Sequence, residues 1–287
     1  MTALRIAANT FIWHSPLTTE ILEARLPQLA DWGFDAVELP LENVDDWDVE
    51  RCAELLEQYG LDSLVGSVFA PGRELAGASS VTQDETIEYM RSAIEIAARQ
   101  GSALVIGPSY TSVGRTWRMD ADARRKLYGE LTENYLRLID YAGPLGVKIA
   151  LEPLNRYETS VFNTTEQLLD FIADLDPAVI GLNLDTYHMN IEERSLGDSI
   201  RLAGERMFHL QVCGNDRGAP GGDLTPWQDV FTALRDIGYQ GILGIESFTA
   251  DNASISTAAS IWRPLAPTQD QLATEGLAFL RECDQLY

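Results

Sequence analysis

Short apolar runs alternate with longer stretches of helical periodicity along all 287 residues. The runs are LRIAAN (4–9), DAVELP (35–40), DSLVGSV (62–68), ALVIG (103–107), VKIALE (147–152), VIGLNLD (179–185), MFHLQVC (207–213) and GILGIES (241–247). Runs of this length between helical patterns predict parallel strands. TTEILEARLPQLADWGF (18–34) and DETIEYMRSAIEIAARQG (84–101) repeat apolar residues at helical spacing and predict amphipathic helices. Gly33, Gly60, Gly101, Gly146 and Gly238 stand just before the next strand, where a left-handed helix stop belongs. Eight β-then-α units without a linker predict one α/β domain over residues 1–287, a (β/α)8 TIM barrel. A doubly wound sheet is the alternative, and the count of eight favours the barrel.

Side chains alternate faces along a strand. In the last four runs the bulky aliphatics share one face: Val147, Ile149 and Leu151; Ile180, Leu182 and Leu184; Phe208, Leu210 and Val212; Leu243 and Ile245. Small or polar residues share the other: Lys148, Ala150 and Glu152; Gly181, Asn183 and Asp185; His209, Gln211 and Cys213; Gly244 and Glu246. The bulky face should pack outward on the helices. Glu152, Asp185, Gln211 and Glu246 should then point inward at the C-terminal ends of four successive strands, where active sites of this fold lie. Three converging carboxylates repel, so protonation, a nearby base or a divalent cation must offset them. Arg156 and Arg217 are the basic residues at hand. Three carboxylates and an amide oxygen make a hard-cation site. His209 shares the face of Gln211 one layer deeper and reads as an interior histidine or a group supporting the ligands. Cys213 reads as core. Trp13, His14 and Phe69 either line the pocket or belong to the core.

Net charge changes the choice of partners. With 21 Lys and Arg against 44 Asp and Glu, the chain carries −23, a surface that repels nucleic acid and anionic membranes. Three cysteines, Cys52, Cys213 and Cys283, show no disulfide or zinc spacing. No run reaches membrane-span length, and MTALRIAANTFIW lacks the basic and apolar regions of a secretion signal. A cytoplasmic location is the expectation. One connection stands out, about residues 248–270 after the eighth strand, with Trp262, Pro264 and Pro267. Such a loop serves as a lid, a partner surface or a plain structural excursion.

The blocks ALEPLNRYET (150–159), LDTYHMNIEE (184–193), NDRGAPG (215–221) and GIESF (244–248) carry a resemblance. The chain resembles ketose 3-epimerases of the D-tagatose/D-psicose type, within the xylose-isomerase-like barrel superfamily. The resemblance implies that Glu152, Asp185 and Glu246 are metal ligands and that Glu152 and Glu246 form the acid/base pair. It implies that Glu158, His188 and Arg217 hold substrate oxygens. The family's H-x-H pair reads His209-Leu210-Gln211 here, so the fourth ligand becomes an amide oxygen. An all-oxygen set favours Mn²⁺ or Mg²⁺, with Co²⁺ a third candidate.

The expected activity is enolisation of a keto-sugar by an isomerase or epimerase. The alternative is a carbon–carbon lyase using the same chemistry, a C-glycoside deglycosidase subunit acting on a 3-oxo glycoside. Its larger substrate or smaller partner subunit would suit the long loop, whereas the epimerase implies a homo-oligomer. A DNA-repair endonuclease on this barrel needs a histidine-rich zinc cluster and a basic groove; three histidines and −23 argue against it. A non-catalytic subunit, its site decayed at Gln211, is the remaining reading.

Overall fold

In the computed structural model, which describes residues 3–287, eight parallel strands close on themselves. They are β1 (Arg5–Asn9), β2 (Ala36–Leu41), β3 (Asp62–Ser67), β4 (Leu104–Gly107), β5 (Lys148–Leu151), β6 (Ile180–Asp185), β7 (Met207–Val212) and β8 (Ile242–Ile245). Every expected strand is present, with ends shifted by no more than two residues. β8 pairs back onto β1 through Ile6 and Leu243, which removes the doubly wound alternative. Helices α1 (Thr19–Trp32), α2 (Val49–Tyr59), α3 (Ser80–Arg99), α4 (Ala121–Ala142), α5 (Thr165–Ile172), α6 (Thr186–Glu192), α7 (Leu196–Ala203), α8 (Trp227–Asp236), α9 (Ala253–Ala258) and α10 (Gln269–Leu286) fill the connections.

Local chemistry sets the helix ends. Thr18, Asp48, Ser79, Asp120, Thr164, Ser195 and Thr268 each accept a backbone N–H of the first turn, which satisfies a donor the helix leaves open. α1 stops at Gly33, whose φ of 91° suits only glycine without strain.

Alternation along the strands separates two apolar clusters. The larger one lies between strands and helices and holds Ile6, Val37, Ile149, Leu182, Leu184, Leu210 and Leu243. The smaller one holds Ala7, Ala36, Leu64, Ile106, Ala150 and Ile242, which meet on the barrel axis. Alanines facing Leu64, Ile106 and Ile242 fill the interior of the eight-stranded barrel. Further along the same face come Asn9 and Glu38, the latter level with Gly244, and beyond them, past the ends of β5 and β8, Glu152 and Glu246.

The connection over 248–270 contains α9 and is tied to the turn after β1. Asn252 Nδ2 donates to the Phe11 carbonyl at 2.9 Å and Gln269 Nε2 to the Ile12 carbonyl at 2.7 Å. Arg263 pairs with Asp216 at 2.8 Å, and Trp262 is 75% exposed. Among the described residues no helix is long and apolar enough to cross a membrane.

Because Ala150 is fully buried on the axis, Ala150→Leu should overpack it. The expected loss is about 1–3 kcal/mol, read as a lower urea midpoint with an unchanged slope.

Candidate active site

The strand ends bring the expected residues together. Glu152 follows the last residue of β5, Asp185 ends β6, Gln211 lies near the end of β7 and Glu246 follows β8. Glu152, Asp185 and Gln211 are buried, and the Glu246 side chain is 13% exposed. His188 sits in the first turn of α6, because Asp185 caps that helix: its Oδ1 accepts from the Tyr187 N–H at 2.8 Å. The other oxygen, Oδ2, faces the cluster.

Arg217 is the cation inside it. Its Nη1 donates to Asp185 Oδ2 at 2.6 Å and to Glu246 Oε2 at 3.1 Å. The guanidinium lies over Tyr187 and Phe248, 4.2 and 4.7 Å from their ring centres. The turn Gly214–Gly218 delivers it, with Arg217 at φ 69°, a left-handed conformation that a non-glycine residue holds only under constraint. Arg156, the other basic candidate, is exposed and paired with Glu192 through two bonds of 2.8 and 2.9 Å. It does not offset the buried carboxylates, because its loop turns outward once the strand ends.

Neighbours define the tautomer of His188. Its Nδ1 accepts from the backbone N–H of Asn155 at 3.0 Å, so in the neutral ring Nε2 carries the proton. Burial pushes its pKa well below the ordinary value, with Arg217 adding to the effect, and the ring is neutral. Nε2 lies 3.4 Å from Glu152 Oε1, 3.6 Å from Asp185 Oδ2 and 3.1 Å from Arg217 Nη2. The last contact sets donor against donor. Asn155 also donates to Glu158 Oε1 at 2.7 Å, so one residue holds both His188 and Glu158.

Burial and crowding raise the carboxyls. Glu152 is pushed well up by burial and then by Glu246 and Asp185. Burial raises Asp185 against the pull of Arg217. Glu246 is pushed up to about 8 by burial, with Arg217 opposing and Asp185 and Glu38 adding. Glu158 is raised by burial too. Atoms of Glu152, Asp185 and His188 lie within 4.8 Å of one another, a spacing that suits a metal ion. His188 turns its N–H to this centre, so the donors suited to a cation are carboxylate oxygens. They fit a hard divalent ion, whose charge would offset the repulsion that lifts them. The Gln211 oxygen already accepts from Asn183 Nδ2 at 2.7 Å and keeps one lone pair.

Several neighbours lie outside the residues singled out from sequence. Glu38, Asn9 and Asn183 form a buried polar layer against Gln211 and His209. The alternation that finds Glu152 also reaches Glu38, two residues past inward Ala36. His209 is interior, with Nε2 2.7 Å from Glu38 Oε1. Cys213 is buried with its sulfur 3.9 Å from Asp185 Oδ1, and burial pushes its thiol well up. Trp13 and Phe69 are core residues, and His14 is half-buried.

A closed (β/α)8 barrel with buried acids at its C-terminal mouth defines the class. The chain belongs to the xylose isomerase-like TIM barrel family, which matches residues 26–283. It is 30% identical over 282 residues to a probable ketose 3-epimerase of Synechocystis, covering 98% of this chain and 97% of that one. It is 36% identical over 266 residues to a D-psicose 3-epimerase of Agrobacterium fabrum, covering 89% and 91%. The crystal structure of a D-allulose 3-epimerase from Methylomonas superposes with a TM-score of 0.90 at 28% identity, covering 98% of each chain.

A carboxyl raised to about 8 contributes stability while protonated, and that contribution disappears as pH rises from the ordinary carboxylate range through 8. Cation binding needs the deprotonated form. The gain in Tm on adding Mn²⁺ should therefore widen from about pH 6 to about pH 9. Thermal melts with and without Mn²⁺ check this; a pH-independent gap would count against the carboxylates as ligands.

Proposed function

We propose that the chain is a divalent-cation-dependent ketose 3-epimerase. The observation that carries this reading is the pair of glutamates, Glu152 and Glu246, just past the ends of non-adjacent strands, one against His188 and the other against Arg217. The names of the curated relatives support it.

Glu152, Asp185 and Glu246 would hold the ion, with the Gln211 oxygen as a fourth donor, and oxygen donors suit Mn²⁺ or Mg²⁺. Bound there, the ion would polarise the ketose carbonyl and acidify the adjacent C3–H. His188 Nε2–H and Arg217 Nη2 face each other at 3.1 Å without an acceptor between them. A substrate oxygen placed there takes a bond from each and turns a repulsive contact into two favourable ones. Glu158, held by Asn155, accepts from a substrate hydroxyl. One glutamate of the Glu152/Glu246 pair removes the C3 proton from one face, and the other delivers a proton to the opposite face. The proton count is unchanged and the configuration inverts. Burial keeps water from quenching the carbanion equivalent between the two transfers.

A second reading has one observation in its favour. The connection bearing exposed Trp262 is joined to the Arg217 turn through Arg263–Asp216, which suits a bulkier substrate or a smaller partner subunit. On a 3-oxo C-glycoside, enolisation would expel the aglycone and make the protein a lyase. A homo-oligomer fits the first reading.

Incubation of the Mn²⁺-loaded protein with D-fructose, D-tagatose, D-psicose and L-ribulose in D₂O separates them by NMR. Deuterium at C3 with epimer formation is expected. No exchange on any ketose, with aglycone release from a 3-oxo glycoside, would replace the epimerase by the lyase. Glu246→Gln should lower kcat by at least about 10²-fold with the fold intact; normal turnover would remove Glu246 from the acid/base pair.

A further inference from the structure

Beneath the carboxylate cluster lies a buried acid that the proposed reaction does not use. Glu38 on β2 is fully buried and reaches across the barrel. Its Oε1 lies 2.7 Å from His209 Nε2, and its Oε2 accepts from Asn9 Nδ2 at 2.8 Å and Gln211 Nε2 at 2.9 Å. Three strands, β1, β7 and, through Asn9, the end of β8, are tied to this one carboxylate.

Both amides have their orientation fixed. Asn9 Oδ1 accepts the backbone N–H of Phe11 at 2.9 Å, so Asn9 must present its NH₂ to the barrel. That NH₂ spans Glu38 Oε2 and Glu246 Oε1, the latter at 3.2 Å. A carboxylate only accepts, so Gln211 must turn its nitrogen to Glu38 and its oxygen to Asn183. The chain also leaves room for this acid. A Cβ on Gly244 would fall 1.4 Å from Glu38 Oε1 and 2.9 Å from His209 Nε2. Gly244 does not have a positive φ, so the space, not the backbone, requires glycine there.

We propose that Glu38 is a positioning residue for the reaction centre: through Asn9 it orients Glu246, and through the Gln211 amide it fixes the atom that this position offers. The inference rests on the role proposed above for Glu246, and its test includes a readout independent of turnover. Groups that orient ligands typically change metal affinity by about 10- to 100-fold when removed.

Glu38→Gln keeps the shape and one oxygen for Asn9 and Gln211, removes the negative charge and turns an NH₂ to His209 Nε2, which can accept it only by moving its own proton to Nδ1. The expected result is Mn²⁺ binding at least about tenfold weaker by electron paramagnetic resonance. A fall in kcat of similar size is expected with KM nearly unchanged, because ground-state contacts at His188, Arg217 and Glu158 remain. Asn9→Ala removes the bridge between Glu38 and Glu246 and the acceptor for the Phe11 N–H but leaves the Glu38–Gln211 contact in place, so it should lower kcat while Mn²⁺ affinity changes less than in Glu38→Gln. Gly244→Ala should reproduce the Glu38→Gln losses without altering a charge. If Glu38→Gln does not fold, the Asn9→Ala and Gly244→Ala results decide. Wild-type kcat and Mn²⁺ affinity in the variants, or lower Tm alone, would overturn the proposal. If the wild type exchanges no ketose proton yet binds Mn²⁺, the epimerase reading fails, and the Mn²⁺ affinities still decide the role of Glu38.

Discussion

Two buried carboxylates and a third, mostly covered one, gathered beside one guanidinium, are the constraint around which the barrel is organised. Glu152, Asp185 and Glu246 lose most of their water, and Arg217 alone donates to two of them. Burial and crowding raise all three carboxyls above their ordinary range, Glu246 to about 8, with Arg217 opposing the shift. The β1–β8 pairing closes the sheet, and the outer helices bury its apolar face. The strain at Arg217, a non-glycine residue at φ 69°, belongs to the same arrangement, for only that conformation carries the guanidinium back over Tyr187 toward Asp185.

The layers below transmit this constraint. Alanines at 7, 36 and 150 narrow the axis, and the next layer is polar because Glu38 needs donors that only inward positions can supply. Gly244 is the empty place into which its carboxylate reaches. Each substitution in this layer therefore acts at two places, on packing and on the orientation of the acids above it.

The eight strands and most of their faces were legible because strand alternation is a period of two; Phe208, expected outward, instead packs with the axial cluster against Lys148, because β7 slips register against β6 between Met207 and His209. The same period reaches Glu38 and Asn9, yet neither stands out in sequence. An acid between Val37 and Leu39 reads as an ordinary alternating strand until its cross-barrel donors are known. Loop residues obey no period. Arg156 and Arg217 look alike in sequence, and only the Gly214–Gly218 turn sends one inward while Glu192 holds the other outside. Asn155 was illegible for a similar reason: its role consists of two contacts made across loops, one to His188 and one to Glu158.

Gln211 shows how a changed residue can be accommodated by its surroundings before any ligand is considered. An imidazole bound to an ion through one nitrogen has a single N–H left, which would satisfy Glu38 and leave Asn183 Nδ2 without its acceptor. The amide serves both, giving a donor to Glu38 and an oxygen to Asn183 while keeping one lone pair. As a ligand on the reading proposed above, the amide would offer an oxygen where an imidazole would offer a nitrogen, and the set would be all oxygen. Such a set would favour harder ions. The orientation of the amide is fixed from beneath, by Glu38 and Asn183, whatever the centre holds.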